Sequence, residues 1–149
     1  EGLREARQLG ILRALPRIHG VQTAAVSPLV LAYERLVQRI SRRIKAENLG
    51  SLPSQPAARA DRLLDYRLGG LIGQELDYAA QHRSEFMWPW EEEPRSIATG
   101  ILDDETYDWV AVVRGMLETG GWPVVVPEET LVEANSLVRS TTGARMKTA

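Results

Sequence analysis

The chain has 149 residues, 44% of them hydrophobic, a formal net charge of -2 and no cysteine. That is enough for one domain, or one large piece of a domain, with a real core, and it argues against wholesale disorder. The charge leaves no basic footprint for nucleic acid, the missing cysteines exclude disulfides and thiolate metal sites, and no apolar run approaches a membrane span or a signal peptide. A cytoplasmic setting is the expectation.

The chain opens in a helical rhythm, with Leu3, Ala6, Arg7 and Leu9 spaced for one face and Gly10 suited to a helix end. Pro16 interrupts the next turn. The partly β-branched stretch RIHGVQTA predicts a buried strand near Ile18–Gln22. Ser27 and Pro28 then supply a cap and a first helical residue. Leu29, Tyr33, Leu36, Val37, Ile40 and Ile44 follow at three- and four-residue spacing, which predicts a helix over Ser27–Asn48 with one apolar face. SLPSQPAA reads as a loop. From Ala57 to Arg83 the pattern is helical in two pieces, interrupted at Gly69, Gly70 and Gly73. Pro89 and Pro94 prevent MWPWEEEP from continuing a helix.

The second half begins with SIATGILDDETYDW, residues 96–109. A helix is expected over Asp104–Thr119, its apolar face made by Trp109, Val112, Val113, Met116 and Leu117, with Gly120 and Gly121 ending it. WPVVV predicts a short buried strand at Pro123–Val126. PEETLVEANSLVRSTTG predicts a helix over Glu128–Thr142 with Leu131, Ala134 and Val138 on its apolar face. Strand–helix followed by helix–strand–helix is the rhythm of an α/β layer with parallel strands.

Few residues carry obvious chemistry. Asp103, Asp104, Glu105 and Asp108 suggest either a divalent cation or a capped helix start. Capping is the stronger reading, because carboxylates in a first helical turn meet free N–H groups, and the turn glycine of a calcium loop is missing. His19, in a predicted strand, reads as a packed residue and stands far in sequence from His82, the only other histidine. The run RRIK reads as a solvated helix face; a phosphate role would need aromatic or glycine-rich company that the nearby sequence does not offer. Trp88 and Trp90, flanking Pro89, suit either a ligand wall or a loop packed on the core. No catalytic residue and no metal ligand is identified on this basis.

Three stretches together carry a family resemblance. GLREARQLGILRALPRIHGVQTAAVSPLVLAYE resembles the helix, strand and helix that follow the glycine-rich phosphate loop of pyridoxal-phosphate enzymes of the tryptophan-synthase-β type, and is most like the threonine synthase family. SIATGIL resembles the turn that borders the cofactor ring in related dehydratases. TGGWPVVVPEETLVEANSLVRSTTG resembles the strand and helix that precede the family's C-terminal serine- and glycine-rich segment. The resemblance implies an α/β fold, helix-rich and incomplete: part of a helix-flanked parallel sheet of the fold type II group. Residues 1–149 would form a single partial domain from the C-terminal portion of the catalytic region. Residues 51–95 hold a possible insertion, since Leu52–Glu93 departs from the family pattern.

The activity implied for the parent protein is conversion of O-phosphohomoserine to threonine and phosphate, with pyridoxal 5'-phosphate as electron sink. Thr99, Gly100 and Ile101 would be the cofactor-binding residues, with Gly100 letting backbone approach a flat ring. A homodimer acting on an amino-acid substrate is implied, with no nucleic-acid or membrane partner. Within the same fold the alternatives are a serine/threonine dehydratase and a cysteine-synthase-like β-replacement enzyme. Outside it, the alternative is a non-catalytic helical interaction module. The family also needs a Schiff-base lysine and a phosphate cradle. Only Lys45, on an arginine-rich face, and Lys147, in an aperiodic tail, are present, and neither setting is the desolvated pocket that lowers a lysine pKa. No glycine-rich cradle occurs, and ARMKTA does not match the ring-nitrogen segment. Glu1 already stands in a helical pattern. A fragment, inactive by itself, is the expectation.

Overall fold

The computed structural model describes residues 2–88, 93–103 and 105–142. Among these residues six α-helices run in chain order: α1 Gly2–Gln8, α2 Pro28–Ala46, α3 Pro56–Leu63, α4 Gly69–Gln81, α5 Trp109–Thr119 and α6 Glu128–Thr142. Two strands, β1 Val21–Thr23 and β2 Val124–Val126, pair in parallel, with Val21 opposite Val124 and Thr23 opposite Val126. The protein is therefore a helix-rich α/β structure with a two-stranded parallel sheet.

Helix α2 is the centre of the core. Leu29, Tyr33, Leu36, Val37, Ile40 and Ile44 are all buried along the predicted stripe. Two other helices close on that stripe. Leu68, Leu71, Ile72, Leu76 and Ala79 come from α4 and its approach, and Trp109, Val113, Met116 and Leu117 come from α5. Phe86 seals the end, its ring 5.5 Å from that of Trp109. A side chain of this size contributes about 1.5–3 kcal/mol when fully buried, so the three-helix stack carries most of the stability. The described residues of the Leu52–Glu93 stretch supply eight of the nineteen buried residues of this cluster and are integral to it.

Local chemistry sets the ends of α2. Ser27 occupies the cap position but makes no side-chain cap bond. The side-chain carbonyl of Gln22, on β1, accepts the amides of Leu29 at 2.9 Å and Val30 at 3.4 Å, so the strand caps the helix that follows it. At the other end Asn48 takes φ +56°, a left-handed stop that asparagine tolerates, and Arg62 of α3 holds the Leu49 carbonyl at 2.6 Å.

Both strands were expected to be buried, but Val21 of β1 and Val124 and Val125 of β2 are exposed, and four further expectations are corrected. The helix expected from Asp104 starts at Trp109. The strand expected over Ile18–Gln22 is Val21–Thr23: the Ile18 amide donates to the Thr119 hydroxyl at 3.0 Å and the His19 ring hydrogen-bonds to Trp122, so both residues are tied to the end of α5 and the segment after it. The break in the 57–83 region falls at Leu64–Asp65, where Asp65 turns extended, and Gly69, Gly70 and Gly73 all lie inside α4. The apolar face of α6 is uncovered. No residue of that helix is buried, and Leu137 and Val138 are exposed.

Candidate functional site

The stretch 96–109 divides at Leu102. Thr99–Ile101 form one 3-10 turn, held at its base by two bonds. The Ser96 hydroxyl accepts the Ala98 amide at 3.1 Å, and the Ile97 amide donates to the Glu128 carboxylate at 2.7 Å. The second bond ties the turn to the start of α6. All three predicted cofactor-binding residues are exposed. A Cβ placed on Gly100 meets no heavy atom within 4 Å, so that face of the turn is open to a flat partner.

None of the described acids caps α5 through its side chain. Asp103 accepts the Glu105 amide at 3.2 Å in a local turn, Glu105 pairs with Arg83, and Asp108 precedes Trp109 without a side-chain cap bond. Asp104 lies outside the described residues. These carboxylates are dispersed into separate contacts. Among the described residues, no group of three or more His, Asp or Glu is placed to hold a metal ion.

Tyr107 and Asp108 lead into a groove of about 580 Å³ between α1, the Leu15–Ile18 run and α5. Leu3, Ile18 and Val110 give it apolar walls, and the Arg4–Glu118 ion pair bridges from α1 to α5. Neither histidine lines it. His19 is exposed and stands edge-on to Trp122 with ring centroids 4.4 Å apart, not packed in a strand as expected. His82 is stacked on Tyr78 at 3.8 Å, with Nδ1 2.9 Å from the Tyr78 carbonyl oxygen. The groove therefore has a shape for a ligand but no nucleophile–histidine pair.

No protein-family model, curated protein or solved structure matches this chain.

The electrostatics concentrate on the other side of α2. Glu75 is 5% exposed and takes Arg39 at 2.8 Å and Arg43 at 3.3 Å, so its buried charge is paired twice. Asp65 receives the Arg67 side chain and amide and also Arg62, and the Arg67 contacts above all hold its carboxyl far below the usual carboxylate range. Burial pushes the Tyr33 phenol up to about 12, with the charge of Arg59 opposing the rise. Arg35 stacks 4.3 Å above the Trp88 ring, and Arg39 stacks 3.6 Å above Tyr78. Trp90 lies outside the described residues.

The sequence did not reveal this side of the molecule, because its parts are remote in the chain. Arg35 and Trp88 are brought together only by the docking of the α4–Phe86 region on α2. The one available signal was the helical spacing of Arg35, Arg39 and Arg42, which placed them on a common stripe.

Among the described residues, the requirements of pyridoxal phosphate are met in part only. Thr99–Ile101 fit a rim. Lys45, the only lysine among them, is exposed in the last turn of α2 and lies in none of the grooves described here, whereas a Schiff-base lysine is desolvated. Lys147 lies outside the described residues. Among the described residues, then, no lysine stands in a desolvated pocket.

Proposed function

We propose that this chain is part of the catalytic region of a pyridoxal-phosphate-dependent lyase of the threonine-synthase type, acting in the cytoplasm on an amino-acid phosphate ester. The observation that carries the reading is the parallel pairing of β1 with β2, each followed by a helix. Parallel pairs belong to larger sheets covered on both faces, yet here Val21 is 61% and Val125 42% exposed. Both strands come from the two outer stretches on which the family resemblance rests, and the open Gly100 turn comes from the third. The chain would contribute a sheet portion and a cofactor rim, while the lysine and the phosphate cradle would come from elsewhere in the protein. A dehydratase or β-replacement enzyme of the same fold would use the same parts on a different amino acid.

The test is to express the longest reading frame that contains this chain, reduce it with borohydride, and map the modified peptide. The expected result is a pyridoxyl-lysine outside residues 1–149 and phosphate release from O-phosphohomoserine. An adduct with serine or threonine deamination instead would select the dehydratase. A reading frame that adds no lysine-bearing segment, or one that gives no adduct, overturns the proposal and leaves the interaction module.

A further inference from the structure

The arginine stripe of α2 borders a groove of about 410 Å³ whose other wall is Glu85–Phe86. Arg35, Arg39 and Arg42 all line it. They stand at positions i, i+4 and i+7, so their side chains leave one face of the helix within about 10 Å of axis. Their charges are not equally committed. Arg39 is neutralised by Glu75 at 2.8 Å. Arg35 donates to the Glu85 backbone carbonyl at 2.8 Å and lies on the Trp88 ring; among the described residues it has no carboxylate partner. Arg42 makes only a 3.4 Å contact to the Gln38 carbonyl, and it too has no carboxylate partner there.

Of the two acids at the groove, one is ion-paired and the other keeps its charge. Glu34 is held by Arg59 at 2.5 Å, and the Glu85 carboxylate accepts the Tyr78 hydroxyl at 2.8 Å. Among the described residues Arg35 and Arg42 are in no ion pair, and together they outweigh the Glu85 carboxylate in the shared concavity. One of them is fixed in advance by an aromatic ring and a carbonyl. A guanidinium has five N–H donors in a planar fork, and Arg35 spends one of them internally. A dianion with several acceptor oxygens matches that arrangement, and phosphate oxygens accept such forks in pairs. The volume exceeds that of a bare phosphate and is within the range of small-molecule sites.

We infer that the Arg35–Arg42 groove binds the phosphate group of a small phosphomonoester. This site stands on α2 and Trp88 and does not depend on the enzyme assignment. Titration of the full chain with inorganic phosphate and then with phosphoserine, followed by the arginine Nε–Hε resonances, tests it. The expected result is saturable shifts centred on Arg35 and Arg42, tighter for the ester than for phosphate. Arg42→Gln and Arg35→Gln should each weaken binding about tenfold, the loss of one charge-assisted hydrogen bond. Arg114→Gln, outside the groove, should leave binding unchanged. Arg42 is exposed, so its variant keeps the fold, which an unchanged amide spectrum verifies. Shifts that never saturate, or an equal effect of the Arg42 and Arg114 variants, overturn the site.

Discussion

Gly121→Ala should be the most damaging single-methyl change in the protein. A Cβ at residue 121 would stand 1.7 Å from the Ile18 carbonyl oxygen and 2.7 Å from its carbon. An ordinary C···O contact is about 3.3 Å or more, so the two backbones would have to part by about 1.6 Å. Neither is a flexible side-chain tip. The separation acts where α5 hands over to β2, and several bonds cross it: Ile18 amide to Thr119 hydroxyl at 3.0 Å, His19 ring to the Trp122 carbonyl at 2.9 Å, and Val124 amide to the Gly20 carbonyl at 2.7 Å. Losing two of these at about 1 kcal/mol each, with overpacking of about 1–3 kcal/mol, gives roughly 3–5 kcal/mol. Against a domain stability of about 5–15 kcal/mol, the variant would be marginal. Urea unfolding followed by tryptophan fluorescence and by far-ultraviolet circular dichroism measures this directly. Gly73→Ala is the matched control. Nothing lies within 4 Å of its Cβ position, and inside α4 the change should stabilise by about 0.5–1 kcal/mol. A Gly121→Ala midpoint equal to that of the unsubstituted protein would refute the close-approach argument.

Gln22→Ala should cost about 1 kcal/mol, the worth of a helix cap, while Ser27→Ala costs a few tenths; denaturant midpoints of the two variants decide which residue caps α2. Glu75→Gln removes the charge that Arg39 and Arg43 share, and the loss should be about 1–3 kcal/mol, below the roughly 3–5 kcal/mol of a fully buried pair because the arginine side chains are 27% and 36% exposed. The raised Tyr33 phenol acts only in alkali. An ordinary tyrosine titrates near 10.0 and this one at about 12, so above pH 10 the unfolded chain releases the proton while the folded one keeps it. Stability should fall between pH 10 and 12 by about 3 kcal/mol and be untouched by this group below pH 10. Urea midpoints against pH for the unsubstituted protein and Tyr33→Phe should differ in slope over that window, and parallel curves would contradict the assignment.

Elements with a one-sided apolar stripe and a local stop were legible from sequence. Helix α2 lies within two residues of its expected limits, α6 matches its own, and the parallel strand pair was expected from the order of elements. What failed were boundaries fixed by distant partners. Asp103 bonds within its own turn and Glu105 pairs with Arg83, so neither enters the helix it was expected to open. The Gly69–Gly70 pair read as a breaker, but Asp65, gripped by Arg62 and Arg67, ends the preceding helix first, and the two glycines lie exposed in the first turn of α4. The cap role assigned to Ser27 belongs to Gln22, seven residues from the amide it accepts, beyond the span of any local motif. The Arg35–Trp88 stack joins residues 53 apart and has no sequence signature.

The distribution of exposed apolar residues has a physical order of its own. Within the α2, α4 and α5 stack, large side chains such as Leu36, Ile40, Val113 and Met116 are 0% exposed. On the elements flanking that stack, Leu3 of α1 is 42% exposed, Val21 of β1 61%, Val125 of β2 42% and Leu137 of α6 64%. Single exposed apolar residues are ordinary. Their concentration on two parallel strands and on a helix with no buried residue is less so. A short parallel pair offers few ladder bonds, and its stability in other proteins comes from helices on both faces and from further strands. Here α2, capped by Gln22, anchors β1 to the stack, and the Gly120–Gly121 turn anchors β2 to α5, so the sheet is positioned by the helical core without being enclosed by it. Helix α6 is tethered to the Thr99–Ile101 turn through Glu128 and Ile97. The uncovered helix and the open Thr99–Ile101 turn are thus joined by a hydrogen bond at their bases.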